Sequence, residues 1–292
     1  MSDPGLTGII GGSGLYGMEG LTQARWEKVS SPFGEPSDEL LFGELGGRPV
    51  VFLPRHGRGH RLPPGAINYR ANIDALKRVG VSSLISVSAV GSLRISLPPG
   101  VFVLVDQYID RTQSRPRSFF ETGCVAHVSL AHPTCDRLNK LVYDAAASAG
   151  LTMVMGGTYL AMEGPQFSCR AESLMYQQWG CDVIGMTSMP EARLAREAEI
   201  CYANVAMVTD YDCWHPRHEQ VSVAQIVETL QANAAKAQHL VGLAAPACAA
   251  DPQASACSCR FALDHAVITP PESRDPALMG RLDAVAARII GP

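Results

Sequence analysis

Five short segments combine residue types that carry chemistry, and four of them sit at the ends of strand-like runs. Thr209-Asp210-Tyr211-Asp212-Cys213-Trp214 follows the apolar run Ala203 to Val208. Its two carboxylates, one residue apart, suit reading a donor-rich ligand edge, or one of them staying protonated as an acid; a capping or turn role fits them equally well. Pro54-Arg55-His56-Gly57-Arg58-Gly59-His60-Arg61 gathers cations among glycines just past Val50 to Leu53. That cluster suits phosphate or carboxylate binding, with arginine supplying a bidentate fork, although any one of these residues alone reads as a solvated basic loop. Ser86 to Arg94 places small hydroxyl residues, Ser88 among them, where a buried strand gives way to a loop. They leave room and hydrogen bonds for a ligand, or simply make a tight turn. Glu163 to Ser173 puts Phe167 and Ser168 in a strand-to-helix connection, where the ring packs on a ligand or on a satellite apolar cluster.

The fifth segment, Gly12-Ser13-Gly14-Leu15-Tyr16-Gly17, fits the glycine spacing of a dinucleotide-binding loop. Such a loop must open a helix. Here Gly20, Pro32 and Gly34 follow with no sustained apolar face, so a nicotinamide-dependent oxidoreductase is disfavoured. The glycines instead let backbone amides and the Ser13 hydroxyl approach an anion.

The elements that must position these segments alternate along the chain. A helix is predicted over Asn68 to Val79, with Ile73, Leu76 and Val79 on one face and Gly80 closing it. Val81 to Val90, Val101 to Val105, Asp182 to Met186 and Ala203 to Thr209 read as strands. Asp136 to Ala149 reads as an alanine-rich helix stopped by Gly150, and Ser222 as the cap of a long helix toward Val241. The alternation predicts an α/β fold, a single domain around a mixed, mostly parallel sheet flanked by helices. After Pro246 the composition turns to Ala, Pro, Ser and Cys before a last helix, with Asp275 as cap and Pro276 at its first position.

The 292 residues carry a formal charge of −4, and without a basic stripe a nucleic-acid partner is not expected. No charged-then-apolar leader opens the sequence, and the longest apolar runs fall well short of a membrane span, so a cytoplasmic protein without membrane association is expected. The nine cysteines read as reduced thiols and core fillers. Cys257-Ser258-Cys259 stands out, but no second Cys or His pair lies at zinc-ligand spacing, and two plain thiols are favoured over a metal or redox role. Neither clustered carboxylates nor clustered histidines indicate another metal site.

Taken together, GGSGLYG from Gly11, PRHGRGH from Pro54, NYRANI from Asn68 and SAVGSLR from Ser88 resemble the trimeric purine nucleoside phosphorylase family. MEGPQFSCRAES from Met162, GMTSMPEARLAREA from Gly185 and TDYDCW from Thr209 complete the likeness, in family order, and point to its methylthioadenosine-cleaving branch. The resemblance implies a catalytic domain over residues 1–246 and a C-terminal extension over 247–292, and a homotrimer or a dimer of trimers. It implies phosphate held by Ser13, Arg55, His56, Ser88 and Thr187, with Met186 against the ribose. Phe167 and Ser168 would lie at the purine, and Asp210 and Asp212 at its edge as catalytic groups. Val223, Ile226 and Val227 would line a methylthio pocket, with His127 contributed by a neighbouring subunit. No metal or organic cofactor is implied, inorganic phosphate being the co-substrate. Gln166 departs from the arginine many members carry, and Ser13 and Ser88 replace common threonines while keeping the hydroxyl. A C-terminal CxC also occurs in some members. A phosphorylase of 6-oxopurine nucleosides or methylthioinosine, and a nucleoside-binding protein without catalysis, are the rival readings.

Overall fold

The computed structural model describes residues 5–12, 14–216 and 223–290, without the side chains of 223–228 and 230. Strands β1 (Leu6–Gly11), β2 (Thr22–Glu27), β3 (Leu40–Leu45) and β4 (Arg48–Pro54) precede helix α1 (Tyr69–Arg78). Then come β5 (Val81–Ser92), β6 (Phe102–Val105), β7 (Gln107–Asp110), α2 (Asp136–Ser148), β8 (Met153–Met155) and β9 (Thr158–Ala161). The chain continues through α3 (Arg170–Gln178), β10 (Val183–Gly185), α4 (Ser188–Glu197), β11 (Cys201–Asp210) and α5 (Val223–Ala250), ending in α6 (Pro276–Arg281) and α7 (Ala287–Ile290).

All eleven strands join one sheet, in which β5 lies between β1 and β11 and runs parallel to both. β4 is parallel to β1, β10 to β9 and β9 to β7, whereas β2, β3 and the β10–β5 and β11–β6 pairs run antiparallel. Helices cover both faces. One apolar cluster joins Ile73 and Leu76 of α1 to Leu194 of α4. The other joins Leu138 and Val142 of α2 to Leu240 and Val241 of α5. This is the mixed, mostly parallel α/β architecture that the alternating pattern predicts.

Local signals act where the sequence places them. Asn68 caps α1, its Oδ1 accepting from Ala71 N at 3.1 Å, and Gly80 leaves the helix at φ +90°. Asp275 caps α6 by accepting from Leu278 N at 2.9 Å. The glycine loop after β1 leads into β2 with no helix, which removes the structural basis for a dinucleotide fingerprint.

The C-terminal region differs from its sequence pattern in one respect. α5 extends past Val241 and through Pro246 to Ala250, so the composition break at 246 falls inside a helix; Ser222 lies outside the described residues. The segment beyond packs on the body, where Leu263, Leu278, Leu282 and Val285 enter the same buried cluster as α1 and α4. Val267 pairs with Ala126, and Leu263 N donates to Glu199 Oε1 at 2.9 Å.

Candidate functional site

A single register relationship brings the chemical segments together. Gly11 at the end of β1 pairs with Pro54 at the end of β4, and Asp210 at the end of β11 pairs with Gly91 in β5. The carboxyl ends of these parallel strands therefore open onto the same space, the usual ligand position of an open α/β sheet. That space is a cavity of about 550 Å³. Arg55, His56, Ser88, Phe167, Met186, Thr187, Asp210 and Asp212 all line it.

At one end stands Arg55, 1% exposed. Its Nε donates to Glu191 Oε2 at 2.8 Å, and its Nη2 to Glu191 Oε1 at 3.1 Å and Ser86 Oγ at 2.7 Å. Nη1 donates to the Val87 carbonyl at 2.9 Å, which leaves one of its hydrogens without an acceptor among the described residues. Burial opposes the guanidinium charge, but Glu191 beside it outweighs burial and holds the pKa above its ordinary value. Glu191 also accepts from Tyr202 Oη at 2.8 Å and Ser86 Oγ at 2.7 Å.

His56 Nδ1 lies 2.9 Å from the Leu62 carbonyl, which fixes the hydrogen there and leaves Nε2 for a ligand. Burial, then the nearby Arg55 charge, push its pKa down to about 4 against the upward pull of the Leu62 hydrogen bond, so the ring is neutral at pH 7. His60 stacks on it at 4.2 Å. Arg58, by contrast, turns away to Asp38 and Glu39 and over Trp26, so the basic loop splits between site and surface. Ser88 Oγ is buried without a hydrogen-bond partner among the described residues, and Thr187 is buried beside it on the cavity wall.

At the other end, Asp210 Oδ2 accepts from Thr209 Oγ1 at 2.8 Å and Oδ1 from Asp212 N at 2.8 Å. Burial pushes the pKa of both carboxyls up, and for Asp212 the charge of Asp210 adds to the effect. Ser173 and Ser168 approach Asp212 and temper its shift, yet Oδ2 has no well-formed hydrogen bond. Asp212 holds φ at +36°, a left-handed backbone that costs about 1–3 kcal/mol for a residue with a side chain. Gly91 gives the pair close room, because a Cβ there would stand 3.0 Å from Asp210 Oδ1 and 3.3 Å from Asp212 Cβ, tighter than ordinary packing. Phe167, 45% exposed, forms part of the wall between the two ends together with Met162, Ile184 and Met186.

Not every candidate enters the cavity. Ser168 is buried behind it, its Oγ donating to Met162 Sδ at 3.7 Å and its carbonyl accepting from Cys213. His127 is exposed outside the cavity, on the segment that pairs with the C-terminal tail. Ser13 and the side chains of Val223, Ile226 and Val227 lie outside the described residues, although Gly12, Gly14 and Ala234 and Ala237 of α5 line the cavity.

Two residues that sequence reasoning missed organise the site. Glu191 is visible in the sequence only as part of the helical run PEARLAREA. Arg115, in a loop with no distinguishing pattern, donates from Nη1 to the Met186 and Met189 carbonyls at 2.5 and 2.8 Å. From Nη2 it reaches the Glu163 carbonyl at 2.7 Å and from Nε Glu163 Oε1 at 3.2 Å, so it pins the loop that carries Phe167. Gln166, the departure noted above, is exposed beside that loop.

An open α/β sheet whose cavity holds a buried arginine at one end and paired carboxylates at the other has the architecture of a small-molecule enzyme, and residues 7–245 match the phosphorylase superfamily. The chain belongs to that family. It is 58% identical over 285 residues, 98% of each chain, to the S-methyl-5′-thioadenosine phosphorylase of Cereibacter sphaeroides. It is 57% identical to that of Rhodospirillum rubrum, covering 97% of each. Among solved structures, a methylthioadenosine phosphorylase from an antarctic soil metagenomic library superimposes with a TM-score of 0.90 at 47% identity, over 96% of this chain and 98% of that one. The Schistosoma mansoni methylthioadenosine phosphorylase in complex with adenine gives 0.82 at 33% identity, over 92% and 99%.

Proposed function

We propose that this protein catalyses the reversible phosphorolysis of S-methyl-5′-thioadenosine to adenine and 5-methylthioribose 1-phosphate. The observation that carries the reading is the pair of half-buried Asp210 and buried Asp212, with no ion pair to either among the described residues, at one end of a cavity whose other end holds Arg55, His56, Ser88 and Thr187.

Phosphate occupies the Arg55 end. The free Nη1 hydrogen and the hydroxyls of Ser88 and Thr187 donate to it, with Ser13 as a further ligand, and His56 Nε2 donates once the bound dianion has drawn a proton onto the ring. The ribose lies against Met186, and the purine lies against Phe167 with Asp210 and Asp212 at its edge. Breaking the C1′–N9 bond leaves positive charge on the sugar and negative charge on the purine. The phosphate dianion compensates the first and forms the new C1′–O bond; Asp210, whose carboxyl burial shifts toward its protonated form, gives its proton to N7 and answers the second. Asp212 accepts from the exocyclic amine of adenine. A 6-oxopurine presents an acceptor there, which an ionised carboxylate repels.

Val223, Ile226 and Val227 line the methylthio end, and a neighbouring subunit's His127 closes it in a homotrimer. Residues 1–246 carry the catalytic machinery, and 247–292 form an extension packed against it. Phosphate enters as co-substrate, with no organic cofactor in the reaction. Among the described residues no helix is long and apolar enough to cross a membrane, which agrees with a cytoplasmic enzyme.

The test is release of free base from methylthioadenosine, methylthioinosine, adenosine and inosine, each with and without phosphate. Adenine release from methylthioadenosine that requires phosphate is the expected result. Preference for an inosine substrate would overturn the roles of Asp210 and Asp212, and no turnover of any of the four would overturn the activity.

A further inference from the structure

Four of the nine cysteines converge on one point at the start of β11, the strand whose other end carries Asp210. Cys135, Cys201, Cys257 and Cys259 place their sulfurs all within 4.8 Å of one another, with Cys135 and Cys257 at 3.5 Å. Sequence spacing offers no partner pair for Cys257-Ser258-Cys259 because the partners lie far upstream and apart from each other. Cys135 is the cap residue of α2, and Cys201 opens β11. Cys135 N donates to the Tyr202 carbonyl at 2.8 Å, so the body fixes these two sulfurs relative to each other. Short 3-10 turns at Ala254–Ala256 and Ser258–Phe261 flank Cys257 and present the other two from the tail.

We infer that these four cysteines form a structural tetrathiolate site for a soft divalent cation, zinc foremost. Zinc holds thiolates at about 2.3 Å, which spaces tetrahedral sulfurs about 3.8 Å apart, within reach of the observed cluster by small side-chain rotations. Three of the four are buried and Cys257 is half-buried, the closed surrounding of a structural rather than a catalytic metal. A divalent ion with four thiolates carries two net negative charges, and the fold supplies a counter-charge. Arg137, ion-paired to Asp251, lies against Cys201 and Cys257, and its buried Nε and Nη2 have no oxygen or nitrogen acceptor among the described residues. The other five cysteines are outside the cluster. Binding displaces the thiol protons to solvent and ties the C-terminal tail to α2 and β11, so the ion stabilises the fold without entering the reaction.

The experiment uses the full chain, reduced with a non-chelating phosphine, freed of metal and titrated with cobalt(II). The visible d–d bands and sulfur-to-cobalt charge transfer of a tetrahedral tetrathiolate are expected, saturating at one ion per chain and abolished by one equivalent of zinc. Zinc should raise the melting temperature and a chelator reverse the rise. Cys257→Ser and Cys259→Ser, made singly, should each lose the tetrathiolate spectrum while retaining far-ultraviolet circular dichroism, whereas the exposed Cys169→Ser should keep it. Absence of the spectrum in the reduced protein would overturn the inference. So would isolation of the protein without metal and with these four cysteines joined as disulfides in peptide mass mapping. Neither result touches the phosphorolysis assay.

Discussion

Glu191 holds Arg55 by two parallel hydrogen bonds, at 2.8 and 3.1 Å, with both side chains almost fully buried. The cation nearest the anion end of the cavity is therefore already neutralised by the protein. Its value to a ligand is the fixed direction of one remaining N–H and the polarity of its neighbours, not an unbalanced positive charge. That explains how a guanidinium can be almost fully excluded from water beside a cavity that opens to it.

Glu191→Ala should accordingly be far worse than the loss of one contact. It strands a buried guanidinium, a change that costs about 3–5 kcal/mol when one partner of such a pair is removed. Glu191→Gln keeps one acceptor and should fall between alanine and wild type. Urea denaturation of the three proteins checks the order. Among variants that fold, the KM for phosphate should rise more than the KM for nucleoside, because Arg55 is displaced and the carboxylate end is not.

Asp210→Asn should reduce kcat on methylthioadenosine by about 100- to 10,000-fold, the range for loss of a general acid. Asp212→Asn should instead reduce discrimination against inosine-type bases, since an amide can donate to a 6-oxo group. Asparagine tolerates the left-handed backbone at position 212, so a failure there reads chemistry rather than strain. With Asp210 as the proposed acid, kcat should fall as pH rises through its pKa, which burial raises. Steady-state rates on paired adenine and hypoxanthine substrates across pH separate these outcomes.

Much of this site was legible because its groups sit at strand ends, where local sequence and sheet topology speak together. Arg55 follows one recognisable strand, Ser88 lies in the second half of another and Asp210 closes a third, and the parallel register then brings them to the same cavity. Arg115 and Glu191 were not legible, for the same reason in reverse. Each acts through partners dozens of residues away, Arg115 on Glu163 and Met186, Glu191 on Arg55, and nothing in the local pattern distinguishes a buried charge from a solvated one. The four-cysteine cluster was hidden likewise, since a metal motif is read from short spacing and this one is assembled by packing the tail. α5 shows the opposite difference: the sequence carries the helix toward Val241 and changes composition after Pro246, yet the helix runs through that proline to Ala250.

His56 should make folding stability depend on pH with a definite sign. Its pKa falls from 6.5 in the unfolded chain to about 4 in the fold, chiefly through burial. Below pH 6.5 the unfolded state takes up the proton first, so this stabilisation is full above pH 6.5 and is lost as pH drops toward 4. The difference amounts to about 3 kcal/mol. Subtracting the stability profile of His56→Gln from that of wild type should isolate this slope. Phosphate should oppose it, since a bound dianion favours the imidazolium, and the His56 ring resonance should titrate at higher pH with phosphate present.

Arg115 offers the sharpest separation of positioning from chemistry. It touches the carbonyls of Met186, Met189 and Glu163 and the hydroxyl of Tyr69, so it sets where the Phe167 loop stands relative to the sugar wall. Lysine retains the charge but cannot span those acceptors with a single ammonium. A displacement of about 1 Å in a substrate-positioning loop can cost about 100-fold in rate. Arg115→Lys should therefore raise the KM for methylthioadenosine and lower kcat, while the KM for phosphate, set at the Arg55 end, stays near wild type. If both KM values rose together, the loop and the anion end would be one mechanical unit, and Arg115 would be supporting the whole cavity rather than the purine side.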